Sequence, residues 1–424
     1  MHSTGRQVAI TGIGVVAPGG VGVKDFWSLL SDGRTATRTV TFFDAAQFRS
    51  RIAAEVDFDP ESHGLGPQEL RRMDRAAQFA VATAREAVDN SGIEMSEVDP
   101  TRVAVTIGSA IGASMKLEEE YRAASDDGKL ELLDGFYASK HLYDFFVPSS
   151  IVAEVAWSVG AEGHATLVSC GCTSGVDAVG YGAELIREGS ADVVVAGGTD
   201  APITPITLAC FDAIKATSPR NDDPSHASRP FDATRNGFVL GEGAAMFVLE
   251  ELGHARRRGA HVYATIAGFA GRCNAYHMTG LRADGREMAE AIRIAMAEAR
   301  VNPADIDYVN AHGSGTKQND RHETAAFKRS LGEDAYRVPV SSIKSMIGHS
   351  LGAIGAIEVA ASVLAIANDV VPPTANLHTR DPECDLDYVP LTAREWRTDT
   401  VLTVASGFGG FQSAMVLTAE GENP

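Results

Sequence analysis

ATLVSCGCTSGVDAVGYGAE, residues 165–184, is a short β-branched run that passes through a polar turn into a helix of small residues. Residues 338–360, VPVSSIKSMIGHSLGAIGAIEVA, follow the same plan of strand, polar turn and Gly/Ala-rich helix. A second echo joins GEGAAMFVLEE (241–251) to GGFQSAMVLTAE (409–420), each preceded by a strand that closes in small residues. Self-similarity of this kind marks a duplicated architecture. Helices rich in Gly and Ala allow close backbone approach, so 174–182 and 352–362 are expected to pack together at the centre. That would bring Cys172 and His349, at their N-termini, to one place.

Working outward, apolar runs at 8–16, 102–108, 165–169, 191–198, 262–269, 306–311, 338–343 and 400–407 alternate with helical patterns at 67–91, 174–188, 286–300, 319–331 and 350–367. Strands interleaved with helices predict an α/β fold with both sheet faces covered. The charged stretch HARRRGAH (254–261) separates the closing strand of one half from the opening strand of the next, which predicts halves of 1–255, with the cysteine, and 256–424, with the histidines and lysine.

The chain has 424 residues, 44% of them hydrophobic and 22% charged, enough for two core-bearing units. The most apolar segment, 357–373, contains Glu358, Asn368 and Asp369 and reads as a buried helix. MHSTGRQVAITGIG at the start lacks the layout of a secretory signal, and cytoplasmic residence is expected. A net charge of −19 argues against broad nucleic-acid binding, so an acidic partner would need a local basic patch. Arg256, Arg257 and Arg258 are candidates for it, and equally for a solvated helix end. Five cysteines (170, 172, 210, 273 and 384) are too sparse for a disulfide framework, and the C-x-C pair has poor zinc spacing.

A cysteine at a strand-to-helix turn has a physical advantage as a nucleophile, because the helix N-terminus draws its thiol pKa toward neutrality. Cys172 holds that position, whereas Cys170 at the strand end reads as a small buried hydrophobe. A nucleophilic cysteine needs basic company. His312, in AHGSGTKQND (311–320), sits at a strand end, and Lys344 and His349 flank the start of the second Gly-rich helix. Strand-end loops are where α/β sheets bind ligands. His322 is expected on a polar surface, and His277 either lines a pocket or caps a turn.

Two motifs compete. GIGVVA (12–17) matches G-x-G-x-x-A but runs into Pro18-Gly19-Gly20 instead of a helix, so it fails its context test. GHSLG (348–352) matches the G-x-S-x-G elbow, with Ser350 as nucleophile of a rival hydrolase or acyltransferase. The preceding strand ends about five residues too early for that elbow, and only His378 lies downstream. A serine at a helix start is the preferred reading.

GCTSG (171–175), RPFDATRNGFVLGEGAA (229–245), NAYHMTG (274–280), AHGSGTKQND (311–320), SSIKSMIGHSLGA (341–353) and SGFGGFQSA (406–414) together resemble the condensing enzymes of the thiolase superfamily. Within it the chain resembles the ketosynthase α subunit of bacterial type II aromatic polyketide synthases. Fatty-acid or reduced-polyene ketosynthases and the non-catalytic chain-length-factor subunit are the alternatives. The resemblance implies a thiolase-like five-layered αβαβα fold built from two similar halves. It implies a β-ketoacyl synthase, an acyltransferase that condenses malonyl-acyl carrier protein with an acyl chain on Cys172. His312 and His349 would hold the malonyl carbonyl, Lys344 would tune them, Glu323 would pair with Lys344, and Asp320 would lend support. Backbone N–H groups of Cys172 and Phe408 would form an oxyanion hole. Phe408 would gate the pocket, with Phe211 facing it. The implied partners are a homologous chain-length factor, as a heterodimer, and an acyl carrier protein. No metal, no cofactor beyond the carrier's phosphopantetheine, no nucleic acid and no membrane are expected.

Overall fold

In a computed structural model, residues 5–130 and 135–421 are described. Ten strands of the main sheet are β1 (Val8–Ala17), β2 (Val103–Gly108), β3 (Ala165–Val168), β4 (Val193–Asp200), β5 (Gly243–Glu251), β6 (Ala264–Cys273), β7 (Tyr308–Asn310), β8 (Val340–Ser341), β9 (Thr400–Gly407) and β10 (Phe411–Thr418). Their spatial order is β8-β7-β9-β10-β6-β1-β5-β4-β2-β3. Read outward from the middle, 1-5-4-2-3 in one half repeats as 6-10-9-7-8 in the other. The pairing directions repeat too, parallel within β4-β2-β3 and β9-β7-β8 and antiparallel elsewhere. The halves join where β1 and β6 pair antiparallel, with Ala9 opposite Thr265.

Strand side chains alternate between faces, and the three largest apolar clusters follow that alternation. Val193 and Val195 of β4 face an outer cluster with helix α1 (Arg75–Ser91), while Val194 and Ala196 face a central cluster with α2 (Ser174–Arg187). The other principal helices are α3 (Pro205–Ala213), α4 (Arg286–Ala299), α5 (Lys317–Leu331) and α6 (Ile354–Asn368). In the second half Leu402 and Val404 face α4 and α5, while Val401 and Ala405 face α6. Three helical layers thus enclose two layers of sheet, the five-layered αβαβα arrangement.

The centre is close-packed because glycine permits it. A Cβ on Gly175 of α2 would stand 2.6 Å from the Ala356 nitrogen, so α2 and α6 cross with their backbones nearly touching. The segment 351–368 is apolar enough to cross a membrane, with mean hydropathy 1.8, but 89% of it is buried inside the protein, as a core helix requires. GIGVVA has a packing role: a Cβ on Gly14 would meet the Thr83 carbonyl of α1 at 2.0 Å. Gly268 makes the same approach to the Ala295 carbonyl of α4, also at 2.0 Å, which is the duplication again.

Two expectations need correction, and a third point, open in the sequence, is decided. The helix expected over 67–91 breaks at Met73, because Asp74 caps a new helix by accepting the Ala76 N–H at 2.9 Å. The Asp74 second oxygen accepts the Lys116 N–H at 2.7 Å. His322 is buried on α5, with Nδ1 2.6 Å from the Arg282 carbonyl oxygen. The Arg256–Arg258 triplet, open between a basic patch and a solvated helix end, lies at the exposed end of the helix Leu252–Arg257: Arg256 pairs with Glu420 (3.1 Å), Arg257 with Glu251 (3.8 Å) and Arg258 with Glu250 (2.5 Å).

Candidate active site

Cys172 lies in the tight turn between β3 and α2. The turn is stitched by its own side chains: Ser174 Oγ donates to the Gly171 carbonyl (2.6 Å) and accepts the Cys170 N–H (2.9 Å), and Thr173 Oγ1 donates to Asp177 (2.7 Å). Gly171, at φ +62°, brings the turn against the Phe408 carbonyl. The Phe408 N–H donates to the Cys172 thiol, and a Cβ on Gly407 would stand 3.3 Å from the Cys172 nitrogen. The backbone nitrogens of Cys172 and Phe408 therefore converge beside the sulfur.

The helix N-terminus does not leave this thiol acidic. Burial pushes the Cys172 thiol up to about 12, with the charge of Lys344 and the Phe408 N–H opposing and Asp200 and Glu358 adding to the rise. Removal from water outweighs the helix end, so the resting thiol keeps its proton. The residue as a whole retains some exposure because it opens into the cavity it lines. Burial raises Cys170 to about 11, helped by Asp177, which accepts from its thiol.

His312 follows β7. Its backbone N–H donates to Glu323 Oε1 at 2.5 Å, and the Gly313 N–H donates to Oε2 at 2.8 Å. Lys344, fully buried, donates to the His312 carbonyl at 2.5 Å, and its Nζ stands 3.3 Å from His312 Nδ1. Nδ1 accepts there, so Nε2 carries the ring proton. His349 is fixed by a parallel bridge to Leu240, donating its N–H to the Val239 carbonyl at 2.8 Å. Its Nδ1 accepts the Leu351 N–H at 3.2 Å, which again leaves the proton on Nε2. The two rings stand 5.2 Å apart, edge to face at 81°. Burial first, and then the charge of Lys344, hold both imidazoles well below their ordinary 6.5, so both are neutral at neutral pH.

Lys344 does not pair with Glu323. Its ion-pair partner is Glu358 on α6, because both Glu323 oxygens already serve the His312 turn. Burial raises Glu358 to about 7 against the pull of Lys344, and raises Glu323 to about 8 against the Gly313 N–H and Lys344. Asp320 is one step further out: it pairs with the wholly buried Arg235 (2.9 Å) and accepts the Phe231 N–H (2.8 Å), bracing the loop that carries His312.

One cavity is lined by Cys172, His312, His349, Phe211, Phe238 and Phe408, with Ser314, Thr316 and Asn319 on its polar side. Phe211 on α3 faces Phe408 at 6.5 Å between ring centres. Ser350 is buried outside this lining, and its Oγ has no hydrogen-bond partner among the described residues. His277 caps a turn, with Nδ1 accepting the Thr279 and Gly280 N–H groups at 3.1 and 3.0 Å. Sequence reasoning missed Phe238, which meets His349 edge to face with ring centres 5.2 Å apart, and Glu358 as the lysine's partner. The signal for Glu358 was a lone carboxylate in an otherwise apolar helix.

The β-ketoacyl synthase N-terminal domain matches residues 5–255 and the C-terminal domain matches residues 263–378. A polyketide β-ketoacyl synthase 1 of Streptomyces virginiae is 71% identical over 416 residues, covering 98% of both chains. A solved complex of a type II polyketide acyl carrier protein with its ketosynthase bound to the hexaketide matches at TM-score 0.92 and 38% identity, covering 98% of this chain and 99% of that one. The ishigamide ketosynthase/chain length factor matches at TM-score 0.89 and 34% identity, covering 98% and 100%. The chain belongs to the β-ketoacyl synthases, in the group of ketosynthase α subunits of bacterial type II aromatic polyketide synthases. It is an acyltransferase of that class, performing decarboxylative Claisen condensation that repeats to build a poly-β-keto chain.

Proposed function

We propose that Cys172 receives the growing acyl chain from an acyl carrier protein and that His312 and His349 decarboxylate the incoming malonyl unit. In the first half-reaction the Cys172 sulfur attacks the carrier thioester, the bond to the carrier sulfur breaks, and the thiol proton ends on the departing carrier thiolate. In the second, the bond to the malonyl carboxylate breaks, carbon dioxide leaves, and the electron pair becomes an enolate. Its oxygen receives the two Nε2–H donors. The enolate carbon then attacks the Cys172 thioester. The tetrahedral oxyanion sits between the N–H groups of Cys172 and Phe408, and the Cys172 thiolate departs and regains a proton. Preorganised donors of this kind each contribute about 3–4 kcal/mol of barrier lowering. Lys344 fixes the His312 tautomer, Glu323 fixes its backbone, and Asp320 braces the loop behind it. Phe408, with Phe211 opposite, gates the cavity between the half-reactions.

The observation that carries this reading is that both histidines line one cavity with Cys172 while Lys344 and the Leu351 N–H engage their Nδ1 atoms, which leaves Nε2–H as the donor for substrate. The homologous partner is a chain-length factor forming a heterodimer, the carrier's phosphopantetheine is the only cofactor involved, the halves divide at 255/256, and the enzyme works in the cytoplasm. The test is to combine the chain with that partner and malonyl carrier protein, following carbon dioxide and product mass for wild type and Cys172→Ala. A poly-β-keto mass from wild type alone supports the reading; condensation by the variant overturns it. A reduced or fatty acyl product would favour the fatty-acid alternative.

A further inference from the structure

Asp200 is the last residue of β4, fully buried, and carries no part of the chemistry above. Taking a carboxylate out of water is unfavourable unless donors surround it. Here they do: Ser109 Oγ donates to Oδ1 at 2.7 Å, the Ala110 N–H to Oδ2 at 2.9 Å, and the Gly352 N–H to Oδ2 at 2.6 Å. The first two come from the loop after β2, in the same half. Gly352 belongs to the other half, 152 residues away in sequence.

The turn that Gly352 belongs to needs such an anchor. Leu351 adopts φ +48°, in the left-handed region that a residue with a side chain avoids. The same turn donates the Leu351 N–H to His349 Nδ1 at 3.2 Å, and the φ and ψ of Leu351 link that peptide to the Gly352 N–H. A Cβ at position 352 would stand 2.7 Å from Asp200 Oδ2 and 2.4 Å from the Ala110 nitrogen, so only glycine lets the turn reach the carboxylate.

We infer that Asp200 is a positioning residue for His349: by gripping the Gly352 N–H it holds Leu351 in its strained conformation, which keeps Nδ1 occupied and Nε2–H aimed at the substrate. The inference rests on the role proposed above for His349. It makes the nucleophile half supply the clamp for an imidazole of the other half. Asp200 also contributes to the rise of the Cys172 thiol, so loss of its charge acts on the two half-reactions in opposite directions.

The test uses the full chain with its partner subunit, comparing Asp200→Asn, Asp200→Glu, His349→Ala and the double variant Asp200→Asn/His349→Ala. Carbon dioxide release from malonyl carrier protein and acylation of Cys172 are measured separately. Asp200→Asn is expected to lower kcat for carbon dioxide release by roughly 10- to 100-fold, as misplacement of a reacting group by about 1 Å does, with KM changed by less than about twofold. Acylation and iodoacetamide alkylation of Cys172 should be undiminished. Asp200→Glu, which keeps the charge, should recover part of the rate. The double variant should be no slower than His349→Ala, because the two act as a unit. Equal loss of both half-reactions, or multiplying losses in the double variant, would overturn the inference. If Asp200→Asn does not fold, Asp200→Glu decides by the same split between half-reactions. Undiminished carbon dioxide release in His349→Ala would instead overturn the underlying role, and the inference with it.

Discussion

The turn after β3 and the turn after β8 occupy equivalent places in the two halves and do different work. The first is short: β3 ends at Val168 and α2 begins at Ser174, leaving room for one reactive side chain, Cys172. The second runs from Ser341 to Ile354 and folds a short helix, Lys344–Ile347, into the gap. That added length seats a cation and an imidazole, both buried, at the place where the first half has a thiol. Duplication supplies the frame, and turn length decides the chemistry. Because the two glycine-bearing helices cross, the products of both turns face one cavity.

The largest break in this comparison is Cys172→Ala, which should reduce condensation by on the order of 10⁴-fold or more, as loss of a nucleophile does, while leaving malonyl decarboxylation measurable as carbon dioxide. His312→Ala and His349→Ala should invert that pattern. Each is expected to slow carbon dioxide release by roughly 10²–10³-fold, with Cys172 still acylated by mass spectrometry. Lys344→Met or Glu358→Gln removes one member of a buried pair and should cost about 3–5 kcal/mol in urea unfolding. Lys344→Met/Glu358→Leu should regain most of that stability without regaining decarboxylation. Gly175→Ala places a methyl 2.6 Å from the Ala356 nitrogen, and a loss of about 1–3 kcal/mol is expected from the forced separation of α2 and α6.

The smallest effect separates the halves by pH. With both imidazoles held well below 6.5, they are neutral above that pH and take up protons only under more acid conditions, so carbon dioxide release should stay flat from neutral pH down through 6.5 and then decline. Alkylation of Cys172, whose thiol is held up at about 12, should rise about tenfold per pH unit across the same range and beyond, because only the thiolate reacts. A bend in the alkylation profile near 7 would show that the thiol is acidic after all.

Much of the frame was legible because its signals are local. Each apolar run taken as a strand coincides with one of the observed strands, and the echo between 165–184 and 338–360 appears as the repeated strand order. Cys172, His312, His349 and Lys344 were each marked by a strand-end or turn position, and all four meet. The Lys344 partner was misread because the resemblance assigned it Glu323, whose two oxygens are taken by the His312 and Gly313 N–H groups, whereas Glu358 reaches the lysine from α6. The acidity of the thiol was misread because a helix N-terminus is visible in sequence, whereas the degree of burial is not.

The sequence by itself determined the duplicated α/β frame, the turn that carries the candidate nucleophile and the residues that accompany it, since these follow from periodicity, glycine placement and turn chemistry over a few neighbours. Only the tertiary structure decided that Lys344 pairs with Glu358, that both histidines carry their proton on Nε2, that the resting thiol is neutral, and that Asp200 reaches the His349 turn. Each depends on distance and desolvation among groups brought together from both halves, and Coulomb and hydrogen-bond energies respond to that separation, not to position along the chain.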